Sequence, residues 1–204
     1  VVSIICLILF NFHLLSPAVT WAIAFAALLI MDWKGMSFEL LGYTWQGVAF
    51  EEGSALTVAI IIGMLLIVEG VLVRKHGEKF ASPVVEKTSR GLKSIAYFSK
   101  KIWIVPVFFI IPGDAISGYM PWWPLLTIGS EQFGLVLFPV VIGFQQLTRR
   151  LLPVHFYPML GRYIQILGEV IVLGSIGAYF DLRIGLAMIL IACVFRFILS
   201  VGYK

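Results

Sequence analysis

Two acidic residues and one arginine lie inside apolar segments, where a charged side chain needs a partner. Glu69, Glu169 and Arg196 are each flanked by runs of Ile, Leu, Val or Phe. In a hydrocarbon environment an unpaired charge at such a position costs about 3 kcal/mol or more. Side chains of this kind can form a structural ion pair, relay protons or ions, or bind a lipid head group or a protein partner.

The spacing of the last two apolar segments predicts which of these charges meet. Segments 163–180 and 184–201 are separated by a short turn at Asp181, so we expect an antiparallel helical hairpin. Residue 194 then lies opposite Glu169, and Arg196 is offset by about 3 Å at a helical rise of about 1.5 Å per residue. We predict a structural Glu169–Arg196 ion pair with Glu69 close to the same layer. Because Glu69 is five residues from Arg74, its carboxylate could instead extend to the membrane surface.

Motifs for catalysis and metal binding are missing from the sequence. It contains no His-Glu-x-x-His zinc motif, no Gly-x-Ser-x-Gly nucleophile turn and no glycine-rich phosphate loop followed by Lys. His13, His76 and His155 fall in separate connectors, while Cys6 and Cys193 lie in apolar runs typical of buried thiols. We therefore predict that the chain is not an enzyme and carries no cofactor or metal.

The elements that hold these charges are predicted from composition. The chain is 60% hydrophobic and 13% charged, against about 25% charged residues in typical soluble domains. A helix needs about 20 apolar residues to span a bilayer. We predict an all-α polytopic transmembrane bundle forming one integral-membrane domain over residues 1–204. About seven crossings are expected, at 1–10, 14–31, 54–73, 94–111, 132–146, 163–180 and 184–201.

The distribution of basic residues predicts the sidedness of the bundle. Eight of the fifteen Lys and Arg residues lie between 74 and 101, which indicates a cytoplasmic connector and places the C-terminus in the cytoplasm. Ordinary membrane topology explains this cluster as well as a contact role does. Segment 151–162, with Pro153, Pro158 and Gly161, is expected to be a second cytoplasmic connector. Nucleic-acid binding is not expected, because no basic stripe is interleaved with stacking aromatic residues. The candidate surface for anionic head groups or protein partners comprises Arg74, Lys75, Lys79, Lys87, Arg90, Lys93, Lys100, Lys101, Arg149, Arg150 and Arg162.

Proline and glycine residues within the predicted crossings suggest local features. Pro106 and Pro139 are expected to kink helices. Gly168, Gly174 and Gly177 are expected to mark close helix contacts, because the missing side chain lets backbones approach.

Several short motifs, in this order along the chain, resemble the membrane part of MinJ-like proteins, the PDZ-containing polytopic division-site proteins of Gram-positive bacteria. In that family a cytoplasmic PDZ domain follows the last helix, and the protein links a curvature-sensing scaffold to the inhibitor that positions the division ring. No PDZ-like strand pattern occurs before Lys204, and no Met or charged leader opens the sequence, so we expect a part of a longer protein. The motifs are Leu15-Ser16-Pro17-Ala18, Glu69-Gly70-Val71-Leu72-Val73-Arg74-Lys75, Ser82-Pro83, Lys101-Ile102-Trp103-Ile104-Val105-Pro106, Trp122-Trp123-Pro124, Ile142-Gly143-Phe144-Gln145-Gln146, Leu152-Pro153, Gly161-Arg162 and Phe195-Arg196.

Three functions remain open at this point. The first is a non-enzymatic scaffold or adaptor in the bacterial cell membrane, as a single chain or a homo-oligomer, that anchors division-site or related cytoplasmic partners. The second is a transporter of a small solute, an ion or a lipid, which would need a continuous polar cavity reaching Glu169. The third is an accessory subunit of a membrane complex, which would present a large apolar face to another protein.

Overall fold

In the part of the chain that the structure describes, four long helices carry much of the apolar sequence. The computed structural model describes residues 16–35, 38–40, 43–45, 52–87, 91, 93–118, 120–149 and 151–201, so the predicted crossing at 1–10 lies outside it. Short 3₁₀ turns occupy Glu78–Phe80 and Ile176–Tyr179. The helices are α1 (Pro17–Trp33), α2 (Glu52–His76), α4 (Pro153–Ser175) and α5 (Leu182–Val201), with a five-residue α3 at Gly113–Ser117.

The described residues also form two antiparallel sheets. Strands β1 (Phe38–Leu40) and β2 (Tyr43–Trp45) pair with each other, with Phe38 opposite Trp45. The larger sheet has the order β3-β4-β6-β5. Its strands are β3 (Ala81–Lys87), β4 (Lys93–Pro112), β5 (Leu125–Ile128) and β6 (Glu131–Thr148).

The predicted all-α bundle with about seven crossings is wrong, because two of the predicted crossings are strands. Segment 94–111 lies in β4 and segment 132–146 lies in β6. Both segments are rich in β-branched and aromatic residues, which favour strands, and apolar character alone does not distinguish a buried strand from a helix. Among the described residues, two helical stretches are long and apolar enough to cross a membrane, Ala55–His76 and Arg183–Ser200, and Pro17–Met31 is a shorter apolar helix.

Pro106 and Pro139 therefore do not kink helices. The β3–β4 register ends at Ser99 on β4, and the β5–β6 register ends at Gly134 on β6. Both prolines lie beyond those registers, where β3 and β5 require no backbone N–H from them. Beyond those registers β4 and β6 have only each other as neighbours among the described strands, and proline is tolerated in a strand whose other side is unpaired.

The two predicted cytoplasmic connectors are also folded. Helix α2 continues to His76, and the described residues that follow it up to 101 include the 3₁₀ turn, β3 and the start of β4, paired from Ala81↔Ser99 to Lys87↔Lys93. The segment 151–162, expected to be a connector, contains the first ten residues of α4. Pro153 occupies the first turn of α4, where its missing N–H would have no helical partner.

The chain divides into two compact units, Val1–Ile102 with Gly143–Lys204, and Trp103–Ile142. In the first, α2 packs most extensively against α4 and also contacts α1 and α5. Its core includes the fully buried Ile62, Leu66 and Ile164. The second unit contains α3, β5 and parts of β4 and β6, and Gly129 closes the β5–β6 hairpin with a φ of 66° that a two-residue turn favours.

Candidate functional site

A buried ion pair joins three helices of the first unit. The Arg196 guanidinium of α5 donates to Glu69 Oε1 of α2 from Nη2 at 2.6 Å and from Nε at 3.0 Å. The Ser16 hydroxyl, immediately before α1, donates to Glu69 Oε2 at 2.8 Å. Glu69 is fully buried and Arg196 is 4% exposed. Both carboxylate oxygens therefore have protein partners in a site shielded from solvent.

The position of Glu69 follows from the apolar stripe of α2. The buried positions Ala55, Ala59, Ile62, Leu66, Glu69 and Val73 are spaced by four, three, four, three and four residues, which places them on one helical face. A charge at a stripe position faces the helix bundle whether or not it has a partner. The arginine and the serine supply the compensation that burial of a carboxylate requires.

Glu169, the predicted partner of Arg196, lies on the outer face of α4. It is exposed, and its Oε1 accepts a hydrogen bond from Gln165 Nε2 at 3.0 Å. The structure therefore pairs Arg196 with Glu69 instead of Glu169. The prediction considered height along the helix only. Glu169 follows the buried Ile164 by five residues, which is about 140° around the helix at 3.6 residues per turn.

Helices α2 and α4 run antiparallel with their backbones in contact at glycines. A methyl group built on Gly70 would lie 2.6 Å from the Gln165 nitrogen and 2.7 Å from the Gly161 carbonyl oxygen. A methyl group on Gly168 would lie 2.7 Å from the Gly63 carbonyl oxygen. Gly63 and Gly70 are seven residues apart, as are Gly161 and Gly168. The glycines of the two helices therefore face each other along one line of contact, the glycine seam. Without side chains at the seam, the helices pack at backbone distance.

The other two glycines predicted to mark helix contacts face side chains of α5. A methyl group on Gly174 would overlap Met188, and one on Gly177 would lie 3.3 Å from Ile184 Cγ2. The contact at Gly174 is with the end of a flexible side chain, so it restrains the helices less than the seam at Gly168 does.

The predicted basic surface lies on folded elements of the first unit. Arg90 and Arg150 are outside the described residues. Lys101 is half-buried, and its Nζ lies 4.1 Å from the centroid of the Phe80 ring, a cation–π distance. The exposed members are Arg74, Lys75, Lys79, Lys87, Lys93, Lys100, Arg149 and Arg162.

Arg149 already has a carboxylate partner within the chain. Its Nε donates to Glu86 Oε2 at 2.7 Å and its Nη2 donates to Oε1 at 3.2 Å, a two-point contact typical of Arg and carboxylate. This hydrogen bonding holds the pKa of Glu86 below its ordinary value and raises the pKa of Arg149. Two donor groups of the exposed Arg149 are therefore already occupied by Glu86 and are not available to an external anion.

No metal-binding cluster of three or more His, Cys, Asp or Glu residues occurs among the residues that the structure describes. The buried carboxylate of Glu69 has one cation and one hydroxyl as neighbours, so its arrangement suits structural pairing of helices.

Sequence reasoning missed the role of Ser16 and the helix pairing through Gly70 and Gly161. Ser16 precedes Pro17 at the start of α1, and its carbonyl accepts the Val19 and Thr20 amides at 3.0 Å. A small polar residue before a proline indicates the start of a helix. Nothing in the sequence indicated that the Ser16 hydroxyl would form a hydrogen bond with Glu69. The seven-residue glycine repeat was visible in the sequence and could have predicted the α2–α4 seam.

Comparisons with known proteins point to bacterial cell division. The chain is 30% identical over 130 residues to the cell division topological determinant MinJ of Bacillus subtilis (strain 168), covering 62% of this chain and 33% of that protein. It is 26% identical over 129 residues to the probable cell division topological determinants MinJ of Lacticaseibacillus paracasei and Lacticaseibacillus casei (strain BD-II), covering 61% of this chain and 34% of each. The matched region thus spans about a third of the length of these relatives. No family model matches the chain, and no solved structure matches it.

Proposed function

We propose that this chain is the membrane-anchored part of a cell-division topological determinant and acts as a non-enzymatic scaffold for other division proteins. The observation that carries the proposal is the 30% identity to MinJ of Bacillus subtilis over 130 residues. That relative is named as a cell division topological determinant. The PDZ domain implied by the family resemblance would extend the same scaffold on the cytoplasmic side.

The distribution of polarity in the helices supports membrane anchoring. Apolar side chains on the outside of the helices are well exposed, among them Leu173 at 69%, Leu190 at 67% and Phe197 at 62%. The charged side chains Glu69 and Arg196 are buried and paired, whereas Glu169 on α4 is exposed and hydrogen-bonded to Gln165. Soluble helices show the reverse arrangement, whereas intramembrane charges typically face the bundle interior and pair there.

The basic end of α2 supports an orientation for the anchor. Arg74, Lys75 and His76 form the last turn of α2, directly after its apolar stretch. Basic residues at the end of a span favour the cytoplasmic side. Since α4 is antiparallel to α2 across the glycine seam, its first turns lie at the same end. The surfaces offered to division partners would then be the end of α2, the β3–β4 hairpin and the start of α4.

The transporter alternative has less support from the geometry. An ion or proton path needs a carboxylate that water or the transported species can reach. Glu69 is fully buried and both its oxygens accept hydrogen bonds from the protein, and Glu169 lies on the outer face of α4.

Localisation in living cells tests the proposal. A fluorescent fusion of the chain, produced in Bacillus subtilis lacking its own MinJ, should remain in the membrane fraction after alkaline carbonate washing and concentrate at division sites. The fluorescent protein alone is the control and should be soluble and diffuse. A fusion that is released by carbonate, or that spreads evenly over the membrane, would contradict anchoring or division-site targeting respectively.

Capture of partners tests the scaffold role. Replacing Lys75, Lys79, Lys87 and Lys93 by Gln should reduce the recovery of division proteins from cross-linked cells, because these exposed side chains lie on the proposed cytoplasmic surface. Lys34→Gln changes an exposed lysine after α1 and should leave recovery unchanged. Equal recovery from the fourfold variant and the unaltered chain would contradict this surface.

A further inference from the structure

A cationic pocket lies between α2 and α4, on the outside of the bundle. It has a volume of about 370 Å³ and is lined by Arg74 from α2 and by Pro158, Met159, Arg162 and Tyr163 from α4. This volume is in the range of roughly 300–1,000 Å³ that small-molecule sites occupy. The scaffold role proposed above does not account for it.

The glycine seam explains why the two arginines lie together. A methyl group built on Gly161 would lie 2.5 Å from the Arg74 nitrogen and 2.8 Å from the Arg74 Cα. Arg162 follows Gly161, so the two guanidinium groups project from backbones that touch. An ordinary residue at position 161 would force these backbones apart and widen the pocket.

The chemistry of the lining suits a phosphate ester. Within the described part of the chain neither Arg74 nor Arg162 is bound to a carboxylate, in contrast to Arg149, which binds Glu86. The lining contains no acidic residue. Guanidinium groups offer paired donors that match phosphate oxygens, and the Tyr163 hydroxyl is a further donor. Pro158 and Met159 give the pocket an apolar wall.

An exposed apolar stripe continues from the pocket along α4. Tyr163, Ile166, Val170 and Leu173 are 44%, 47%, 51% and 69% exposed, and their spacing of three, four and three residues puts them on one face. A free phosphate would leave this stripe uncovered. A phospholipid would cover it with an acyl chain while its head group occupied the pocket.

We propose that the pocket binds the phosphate of an anionic phospholipid, with Arg74 and Arg162 on the phosphate oxygens and an acyl chain along the α4 stripe. This inference rests on the proposed membrane placement, because the basic last turn of α2 then lies at head-group depth. The site gives the anchor a preference among lipids that general surface charge does not provide.

Native mass spectrometry of the detergent-purified chain, titrated with phosphatidylglycerol, tests the site. R74Q/R162Q should bind about tenfold more weakly, since hydrogen bonds to charged groups are lost. K34Q/R183Q removes the same charge from exposed positions outside both the pocket and the candidate basic surface and should bind like the unaltered chain. If both double variants lose affinity equally, the pocket is not the site.

A charge-preserving variant and a competition experiment distinguish specific recognition from misfolding and identify the kind of ligand. R74K/R162K keeps the charge but loses the paired donors, so it should still bind more weakly than the unaltered chain; unchanged binding would overturn recognition by the guanidinium groups. Glycerol phosphate should not displace the lipid at equal concentration; full displacement would assign the pocket to a soluble phosphate ester. The carbonate-wash assay of the same variants separates the two proposals. If R74Q/R162Q stays in the membrane fraction and binds the lipid as tightly as the unaltered chain, only the lipid site is rejected and the proposed membrane anchoring stands.

Discussion

At Glu69, a single carboxylate holds contacts from two other helices. The Arg196 guanidinium occupies Oε1 and the Ser16 hydroxyl occupies Oε2. The sequence predicted that these charges within apolar segments would be paired, because the cost of leaving them unpaired is high. It could not predict the partner, because the sequence did not show which face of each helix packs inward and therefore on which side each charged side chain lies. Glu69 and Glu169 could be distinguished only once those faces were known.

Removing one member of this pair should destabilise the bundle strongly. Arg196→Met leaves the Glu69 carboxylate buried without its cation, which should lower the free energy of unfolding by about 3–5 kcal/mol. Denaturant unfolding of the chain in detergent, followed by tryptophan fluorescence, measures this change. Glu169→Gln alters an exposed side chain and should shift stability by no more than about 0.5 kcal/mol. Similar losses of unfolding free energy in both variants would contradict a specific contribution from the Glu69–Arg196 pair.

The Glu86–Arg149 pair should make stability depend on acidic pH. The pKa of Glu86 is held below its ordinary value of 4.5 by the Arg149 hydrogen bond. A carboxyl group with a lower pKa in the folded state contributes stability above its unfolded-state pKa, and that contribution disappears as pH falls through the folded-state pKa. The melting temperature of Glu86→Gln should therefore change less between neutral and strongly acidic pH than that of the unaltered chain. Identical pH profiles would contradict a contribution from this pair.

At the level of elements, hydropathy located α2 and α5 well, missed the first ten residues of α4 and did not reveal the strands. Segments 54–73 and 184–201 lie within α2 and α5, because long runs of Leu, Ile and Ala suit helices. Segment 94–111 is also largely apolar but lies in β4, where Val, Ile, Phe and Trp favour an extended chain. Strand pairing depends on residues distant in sequence, such as β3 and β6, so one apolar run could not reveal it.

The accessibility of β4 should alternate with every second residue. In a variant without Cys6 and Cys193, single cysteines along positions 103–110 would be labelled with a thiol reagent in detergent. A strand predicts a period of two, whereas a membrane helix predicts a period of about 3.6. Such a helical period would contradict β4. The more exposed positions are Ile104, Pro106, Phe108 and Ile110, and the less exposed are Trp103, Val105, Val107 and Phe109.

The α2–α4 seam should not tolerate a side chain. Gly161→Ala would place a methyl group 2.5 Å from the Arg74 nitrogen, so the helices must separate, at a cost of about 1–3 kcal/mol. Gly118→Ala is the matched control, since a methyl group there would meet its nearest atom at 3.7 Å and its φ is −65°. Thermal unfolding in detergent should show a clear loss for the first variant and little change for the second. Equal melting temperatures would contradict backbone contact at Gly161.

For the whole molecule, ordered short motifs were more informative than composition. The resemblance to MinJ-like proteins is supported by 30% identity over 130 residues, whereas composition alone led to a bundle of too many helices. Composition counts apolar residues without regard to their partners. The motifs retained order and spacing, such as Glu69-Gly70 and Gly161-Arg162, and both of these pairs lie at the helix contacts described above.

Sidedness should be measurable by chemical labelling of intact cells. In a cysteine-free background, Lys87→Cys on β3 should react with a membrane-impermeant reagent only after permeabilisation, because the proposed orientation puts this end in the cytoplasm. Asp181→Cys, in the exposed turn before α5, should react in intact cells. Labelling of position 87 from outside would reverse the orientation and remove the argument for cytoplasmic partner surfaces.

The seven-residue glycine spacing implies that the seam does not by itself choose one alignment of α2 and α4. Gly63, Gly70 and Gly77 recur at the same interval as Gly161 and Gly168, so sliding α4 by one repeat, about 10 Å, would again oppose glycines. Groups that occur only once must select the observed position. Tyr157 is one: its ring packs against Gly77, whose added methyl would lie 3.0 Å from Tyr157 Cβ. Sliding α4 by one repeat would remove this contact, so Tyr157 favours the observed alignment of the two helices.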